Sequence, residues 1–171
     1  MNKSINHKIQ DVHLATEDEI MLLPTIEAEA DKIFRQIGIN SLPPAASVEE
    51  LLRAKAILVH GHPPTGFARL EELDGNAHLE QLSVSPDHAG QGIGGKLLEQ
   101  ACQWASQQGY LAITLSTYKD VKWNAPFYGK HGFKAIEDLS PGLQLLRDHE
   151  IELGLDQYGP RVVMKRILDK L

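Results

Sequence analysis

The chain has 171 residues, 42% hydrophobic and 23% charged, with a formal net charge of −6 and a single cysteine. That length suits one domain with an ordinary buried core, and the acidic balance disfavours nucleic acid while leaning weakly toward a cationic small molecule. The lone Cys102 rules out an internal disulfide framework, and no apolar run approaches the ~18 residues of a membrane span, so no membrane contact and a cytoplasmic protein are expected.

Residues 1–8 carry no patterned signal and are expected to be a flexible N-terminus, with one domain over 9–171. Ile9 to Leu14 alternate as a first strand. Next, Ile20, Leu23, Ile26, Ala30, Ile33, Phe34 and Ile37 recur at helical spacing, with Thr16 as N-cap and Glu19 completing a capping box. Pro24 should kink or divide this helix, and Gly38 should end it. After the Pro-rich "NSLPPAAS", Ser47 and Glu50 form a second capping box for a helix over Val48 to Ala54. Three strand-like runs follow, "AILVHG", "TGFARLEEL" and "AHLEQLSVS", the last two joined by the hairpin signal "DGN". His60 and His62 have a spacing that can mark a metal, but without a third ligand nearby they read as strand-end residues, and no metal is expected.

A helix from Gly92 to about Gln107 comes next, carrying Cys102 as a packed small hydrophobe, and Gly109 closes it. "LAITLST" is an interior strand, "WNAPFYGKHGF" a short helix ending at Gly132, and "KAIED" a further strand. "LQLLRDHEIELG" fits helix or extended loop, and "RVVMKRIL" is the closing strand. Antiparallel strands in the first half and β-α-β crossovers in the second make this an α/β (α+β) single domain, a mixed sheet flanked by helices.

"HAGQGIGGKLLEQ", His88 to Gln100, places four glycines directly before a good helix. Each costs roughly 0.5–1 kcal/mol of backbone entropy relative to alanine, so the main chain must be needed bare. A helix N-terminus offers unpaired N–H donors and a partial positive charge, which suits a phosphate. Gly90, Gly92 and Gly95 match G-x-G-x-x-G, with Asp120 as the ribose-binding acid, but a dinucleotide loop follows its strand almost at once. Here "SPDHA" intervenes, and the preceding strand belongs to a hairpin rather than a βαβ unit.

The run "LEQLSVSPDHAGQGIGGKLLEQACQWASQQG" instead resembles the central motif of the GCN5-related N-acetyltransferases, the GNAT superfamily. That motif is a strand ending in φ-x-V, a Pro-containing turn, and R/Q-x-x-G-x-G/A opening a long helix. "NAPFYGKHGFKAIE" resembles the second signature, N-x-x-x-x-F/Y-Y-x-x-x-G-F, at family-like spacing, so the resemblance covers about residues 9–167. It implies a mostly antiparallel GNAT-like sheet, acetyl-CoA as cofactor, and transfer of an acetyl group to an amine of a small molecule or peptide within a ternary complex. One position departs from the pattern: Ala89 stands where the family has Arg or Gln, which removes one side-chain contact to the pyrophosphate loop. His88 and Gln91 are the neighbouring polar side chains.

The loop Gly90, Gln91, Gly92, Ile93, Gly94, Gly95 and Lys96 is expected to aim N–H groups at the pyrophosphate. By resemblance, Leu82, Ser83 and Val84 bind the pantetheine arm through their main chain beside a local bulge, and the Val84 N–H polarises the thioester carbonyl. Glu80 is the first choice for the general base and His78 the second; period-2 alternation puts both on one strand face, continued by Leu82 and Val84. Tyr128 matches the family's general acid, and Asn124 the residue that bonds pantetheine or caps the helix; Phe127 reads as core. Phe34, Tyr118, Asp120 and Trp123 are the acceptor-pocket candidates. The acceptor stays open among amino acid, polyamine, aminoglycoside, peptide terminus and protein lysine. A homodimer through strand exchange or sheet-edge pairing is compatible with this fold. A rival of another class, a noncatalytic acyl-CoA-binding sensor, fits Ala89, whereas Tyr128, Asn124 and Glu80 favour turnover.

Overall fold

Two capping boxes organise the N-terminal third. In the computed structural model, which describes residues 11–169, the Thr16 side chain accepts from the Glu19 N–H while the Glu19 carboxylate accepts from Thr16, opening α1 (Glu17–Ile20). Pro24 then sits in the first turn of α2 (Leu23–Asp31), where a missing N–H costs nothing, so the expected helix is divided as anticipated. A 3-10 segment, Lys32–Ile37, follows and ends at Gly38 with φ +83°. The change of helical pitch rotates the apolar stripe out of register, leaving Ile33 and Ile37 exposed although their spacing continued that of Leu23. Ser47 and Glu50 repeat the reciprocal cap at α3 (Val48–Leu52). Of the expected first strand, β1 covers Val12–Leu14; Ile9 and the N-terminal segment 1–8 lie outside the described residues.

β2 (Ala56–His60), β3 (Gly66–Leu73) and β4 (Asn76–Val84) form an antiparallel meander on β1. The β3–β4 turn has Asp74 at φ +51° and Gly75 at φ +78°, two successive left-handed residues of the kind a tight hairpin requires. After α4 (Ile93–Gln107) come β5 (Ala112–Tyr118), α5 (Ala125–Lys130), β6 (Lys134–Ile136), α6 (Pro141–Glu152) and β7 (Arg161–Ile167). The segment 143–154, open to two readings in the sequence, is therefore mainly helix. Asp74 anchors its start, accepting from the Gly142 N–H at 2.7 Å and from the Ser140 hydroxyl.

Among the described residues the strands make one seven-stranded sheet in the order β1-β2-β3-β4-β5-β7-β6, with β4–β5 the one parallel pair. On one face α4 and α5 close a core around Leu97, Leu98, Ala101, Ile113, Leu115 and Phe133, which includes the buried Cys102. On the other face α1 and α3 bury Ile20, Leu23, Leu51, Val59 and Phe67. No described helix is long and apolar enough to cross a membrane.

Candidate active site

β4 and β5 are paired only at Ala77↔Ile113 and His78↔Thr114. Beyond that apex β4 keeps its partner β3 but has none on the other side, and a cleft of about 1120 Å³ opens between the strands and extends under α2 and α6. The β3–β4 register explains the parting. Arg69 pairs with Gln81 while Leu70 pairs with Leu79, so Glu80 is the extra residue of a β-bulge. A bulge bends its strand and increases local twist, which carries the end of β4 away from β5.

The bulge also changes which residues share a face. Ala77 and Leu79 pack into the α4 core, and so do Leu82 and Val84, two positions of opposite parity. His78 and Glu80 lie together on the other face, with His78 Nε2 3.6 Å from Glu80 Oε2. The sequence expectation that Leu82 and Val84 continue the Glu80–His78 face is thus corrected, because strict alternation counts no extra residue. Main-chain direction follows from the next residue: the Ser85 N–H donates to the Thr65 carbonyl at 2.8 Å, toward β3. Alternation then points the Val84 and Leu82 N–H groups into the gap. Ser83 is buried, its hydroxyl held by the Gln81 amide at 2.8 Å.

At the mouth of the cleft lies the glycine loop. Gly90 and Gly92 have φ of +77° and +75°, and a Cβ at either would meet nothing within 4 Å. Space is therefore free there while the backbone conformation demands glycine. Ala89, Gly90, Gly92, Ile93, Gly94 and Gly95 all line the cleft. No hydrogen bond within the described residues engages the main-chain N–H groups of Gly90 through Gly95. Such a row of donors at the N-terminus of the 15-residue α4 has the chemistry to hold an anion the size of a pyrophosphate. One of the expected main-chain contacts falls away. The Lys96 N–H is spent on the Gly92 carbonyl at 3.1 Å, and its ammonium turns to Asp11 at 3.3 Å. The Gln91 side chain is exposed and outside the cleft lining. His88 lines the cleft with its Nδ1 buried and unpartnered, beside the position where Ala89 offers only a methyl group.

Tyr128 and Asn124 reach the cleft from α5. Burial pushes the Tyr128 phenol well above its ordinary range, so it stays protonated at any working pH. Asn124 occupies the N-cap position without a side-chain capping bond; its amide instead donates to the Trp123 carbonyl at 3.2 Å. Phe127 packs against the α4 core, its ring centroid 5.2 Å from that of Tyr128.

Glu80 faces the cleft with 41% of its side chain accessible. The enclosing protein raises its carboxyl above the ordinary value, Glu71 and Glu150 adding to this and Arg69 and Arg161 opposing it. His78 is 3% exposed and does not line the cleft; burial lowers its pKa to about 4. It is a neutral imidazole out of reach of an acceptor, which corrects its candidacy as a direct base.

At the end of the cleft away from the glycine loop, Phe34, Tyr118 and Trp123 come together: Phe34 lies 6.1 Å from Tyr118 and 5.5 Å edge-on from Trp123, measured between ring centroids. Asp120 does not join them, being exposed on the loop after β5 and outside the cleft. Its place as an acid is taken by residues that sequence reasoning missed. Glu27 and Asp31, one helical turn apart on α2, both line the cleft. Burial raises Glu27 to about 7 and Asp31 to about 6; Glu27 accepts from the Ala46 N–H at 2.6 Å. Opposite them, Glu150 of α6 accepts from Ser116, Arg147 and Arg161 at 2.6, 2.8 and 2.7 Å. Burial alone would raise the Glu150 carboxyl, but Arg161 and these bonds outweigh it and hold it low. The Arg161 guanidinium also stacks 4.6 Å from the Tyr118 ring centre. The signal available in sequence was the Leu23–Glu27–Asp31 spacing, which places two acids below a core residue on one helix face.

Comparison with known proteins identifies the family and the fold. Residues 30–133 match the model of the acetyltransferase (GNAT) family. The uncharacterized N-acetyltransferase YobR of Bacillus subtilis is 23% identical over 121 residues, which are 71% of this chain and 46% of YobR, so the chain spans about half the length of that curated relative. Among solved structures, the PaiA N-acetyltransferase of Thermoplasma acidophilum in complex with coenzyme A superposes with TM-score 0.66 at 20% identity, covering 91% of this chain and 97% of PaiA. Rv2747 of Mycobacterium tuberculosis, also bound to coenzyme A, gives 0.66 at 18% identity over 92% and 99% of the two chains. The ribosomal-protein-S18-alanine N-acetyltransferase of Escherichia coli gives 0.65 at 15% identity over 94% of each. These identities establish a shared fold. The chain belongs to the acetyltransferase (GNAT) family, a family of acyl-CoA-dependent N-acetyltransferases with acetyl-CoA as acyl donor.

Proposed function

We propose that the protein moves the acetyl group of acetyl-CoA to a primary amine of a small molecule or peptide, directly within a ternary complex. The observation that carries this reading is the row of unpartnered N–H groups from Gly90 to Gly95, set beside the unpaired edge of β4. Acetyl-CoA supplies a thioester-activated acetyl group. In this reading Gly90 to Gly95 hold its pyrophosphate, and the Leu82 and Val84 N–H groups face the pantetheine arm and the acyl carbonyl. Val84 then stabilises the charge that develops on the carbonyl oxygen. Alkyl ammonium groups titrate near 10, so the acceptor must lose a proton before it attacks. Glu80 lies in the cleft with a raised pKa and takes that proton, directly or through water. Tyr128, protonated by burial, gives its phenolic proton to the departing sulfur. The acceptor enters over Phe34, Tyr118 and Trp123, with Glu27 and Asp31 favouring a cation.

The test is an acetyl-CoA turnover screen against a panel of amines, repeated with Glu80→Gln and Tyr128→Phe. Turnover of a cationic amine, reduced by each substitution, supports the proposal. Coenzyme A binding with no acceptor ever consumed favours the noncatalytic sensor. Tight nicotinamide-dinucleotide binding in its place refutes the choice of cofactor.

A further inference from the structure

The apex of the cleft holds a buried polar pair that the reaction above leaves unused. His78 is 3% exposed and Thr114 1% exposed, on adjacent parallel strands at the last paired rung before β4 and β5 part. His78 Nδ1 lies 2.8 Å from Thr114 Oγ1, and that oxygen lies 3.5 Å from the Ala77 carbonyl. A hydroxyl has one proton to give. The other ring nitrogen settles its direction: an Nε2–H is attracted to the neighbouring Glu80 carboxylate whereas an Nε2 lone pair is repelled by it, so Nδ1 is the acceptor and takes the Thr114 proton. The ring proton of the neutral imidazole then resides on Nε2, the atom 3.6 Å from Glu80 Oε2.

We propose that Thr114 and His78 are positioning residues for the general base: the Thr114 hydroxyl fixes the His78 tautomer, and the Nε2–H orients one oxygen of the Glu80 carboxylate while the other is left for the acceptor amine. The inference rests on Glu80 being the base. The 3.6 Å separation exceeds a hydrogen bond, and such contacts commonly tighten only when substrate is bound. His78 acts without changing charge, since burial keeps it neutral at working pH. The Glu80 carboxyl is also faced by Arg69 and Glu71 from β3, Glu150 from α6 and Arg161 from β7, while Glu27 of α2 lines the same cleft. Glu150 also acts through space on His78, but none of these groups hydrogen-bonds to Thr114 and all keep their charge when its hydroxyl is removed, so Thr114→Val reads the contribution of the hydroxyl.

The experiment is the pH profile of kcat, which reports the substrate-bound enzyme, for the wild type, Thr114→Val, Thr114→Ser and Glu80→Gln, with coenzyme A affinity measured by calorimetry. Losing a hydrogen bond to the charged form raises a carboxyl pKa, so in Thr114→Val the acidic limb moves up by about one pH unit, a roughly tenfold change in proton affinity. Thr114→Ser restores the wild-type midpoint, and coenzyme A affinity is unchanged in both. Nitrogen-15 NMR of wild-type His78 shows the Nε2–H tautomer. An unmoved limb in Thr114→Val, a lost coenzyme A affinity in that variant, or an Nδ1–H tautomer overturns the relay while a disabled Glu80→Gln leaves Glu80 as base. A fully active Glu80→Gln overturns the base assignment and the relay together.

Discussion

The two ends of the cleft are made of different materials. The end we assign to the cofactor is main chain: Gly90 to Gly95 and the Leu82 and Val84 amides, presented by the start of α4 and one strand edge. The end we assign to the acceptor is side chain: Glu27 and Asp31 from α2, Glu80 from β4, Glu150 from α6 and Arg161 from β7. The first end lies in one stretch of sequence and depends on conformation; the second is assembled from distant segments and depends on charge. Substitutions should therefore fail in different ways at the two ends.

The largest expected effect separates chemistry from binding. Tyr128→Phe removes only a proton donor and should lower kcat by roughly 100-fold, the low end for general acid catalysis, with coenzyme A affinity nearly unchanged. A large loss of affinity instead would make Tyr128 part of the cofactor end. Next comes Glu27, whose folded pKa near 7 exceeds the 4.5 of an ordinary glutamate. The folded state binds the extra proton, so its contribution to stability is full below about pH 4.5 and is lost as pH rises through 7. Denaturant titrations across that window should show a decline on the order of 2 kcal/mol, shared with Asp31, and Glu27→Gln should flatten it. A declining curve of undiminished slope in Glu27→Gln would remove this residue from the charge account.

Gly92→Val probes the main-chain end. A branched side chain at φ +75° costs about 1–2 kcal/mol, and the free loop can relax away from it, so cofactor binding must restore the strain. Calorimetry should find coenzyme A bound roughly tenfold more weakly. Smallest is Val84→Ala, which keeps the N–H donor; kcat should change little, and a loss like that of Tyr128→Phe would mean that the side chain, not the amide, does the work.

The same division explains what could be read from the sequence. Thr16 with Glu19, Ser47 with Glu50, and Asp74 with Gly75 each form structures within a few residues, and each was legible because local hydrogen bonding or local dihedrals decide them. The glycine loop was legible for the same reason, apart from Lys96, whose N–H the first full helical turn consumes. A bulge on β4 was implied by the family resemblance, but its place at Glu80 was not legible, because one extra residue inside "AHLEQLSVS" leaves the letters alternating while the register against β3 shifts. Asp120 was misplaced, and Glu150 with Arg161 was missed, because which charges meet across the cleft is settled by α6 folding back over β5 and β7. Phe34, Tyr118 and Trp123, named as an aromatic wall, do meet in space, with Phe34 between the other two rings; that they receive an acceptor belongs to the proposal.

In the proposed reaction, bare amides at the start of α4 and along the parted edge of β4 receive the cofactor, and amide NMR during titration with acetyl-CoA tests this directly. The largest shifts are expected at Gly90 to Gly95, Leu82 and Val84, with protection of those N–H groups from exchange. Saturable binding whose shifts bypass those residues, or no binding at all, would contradict it.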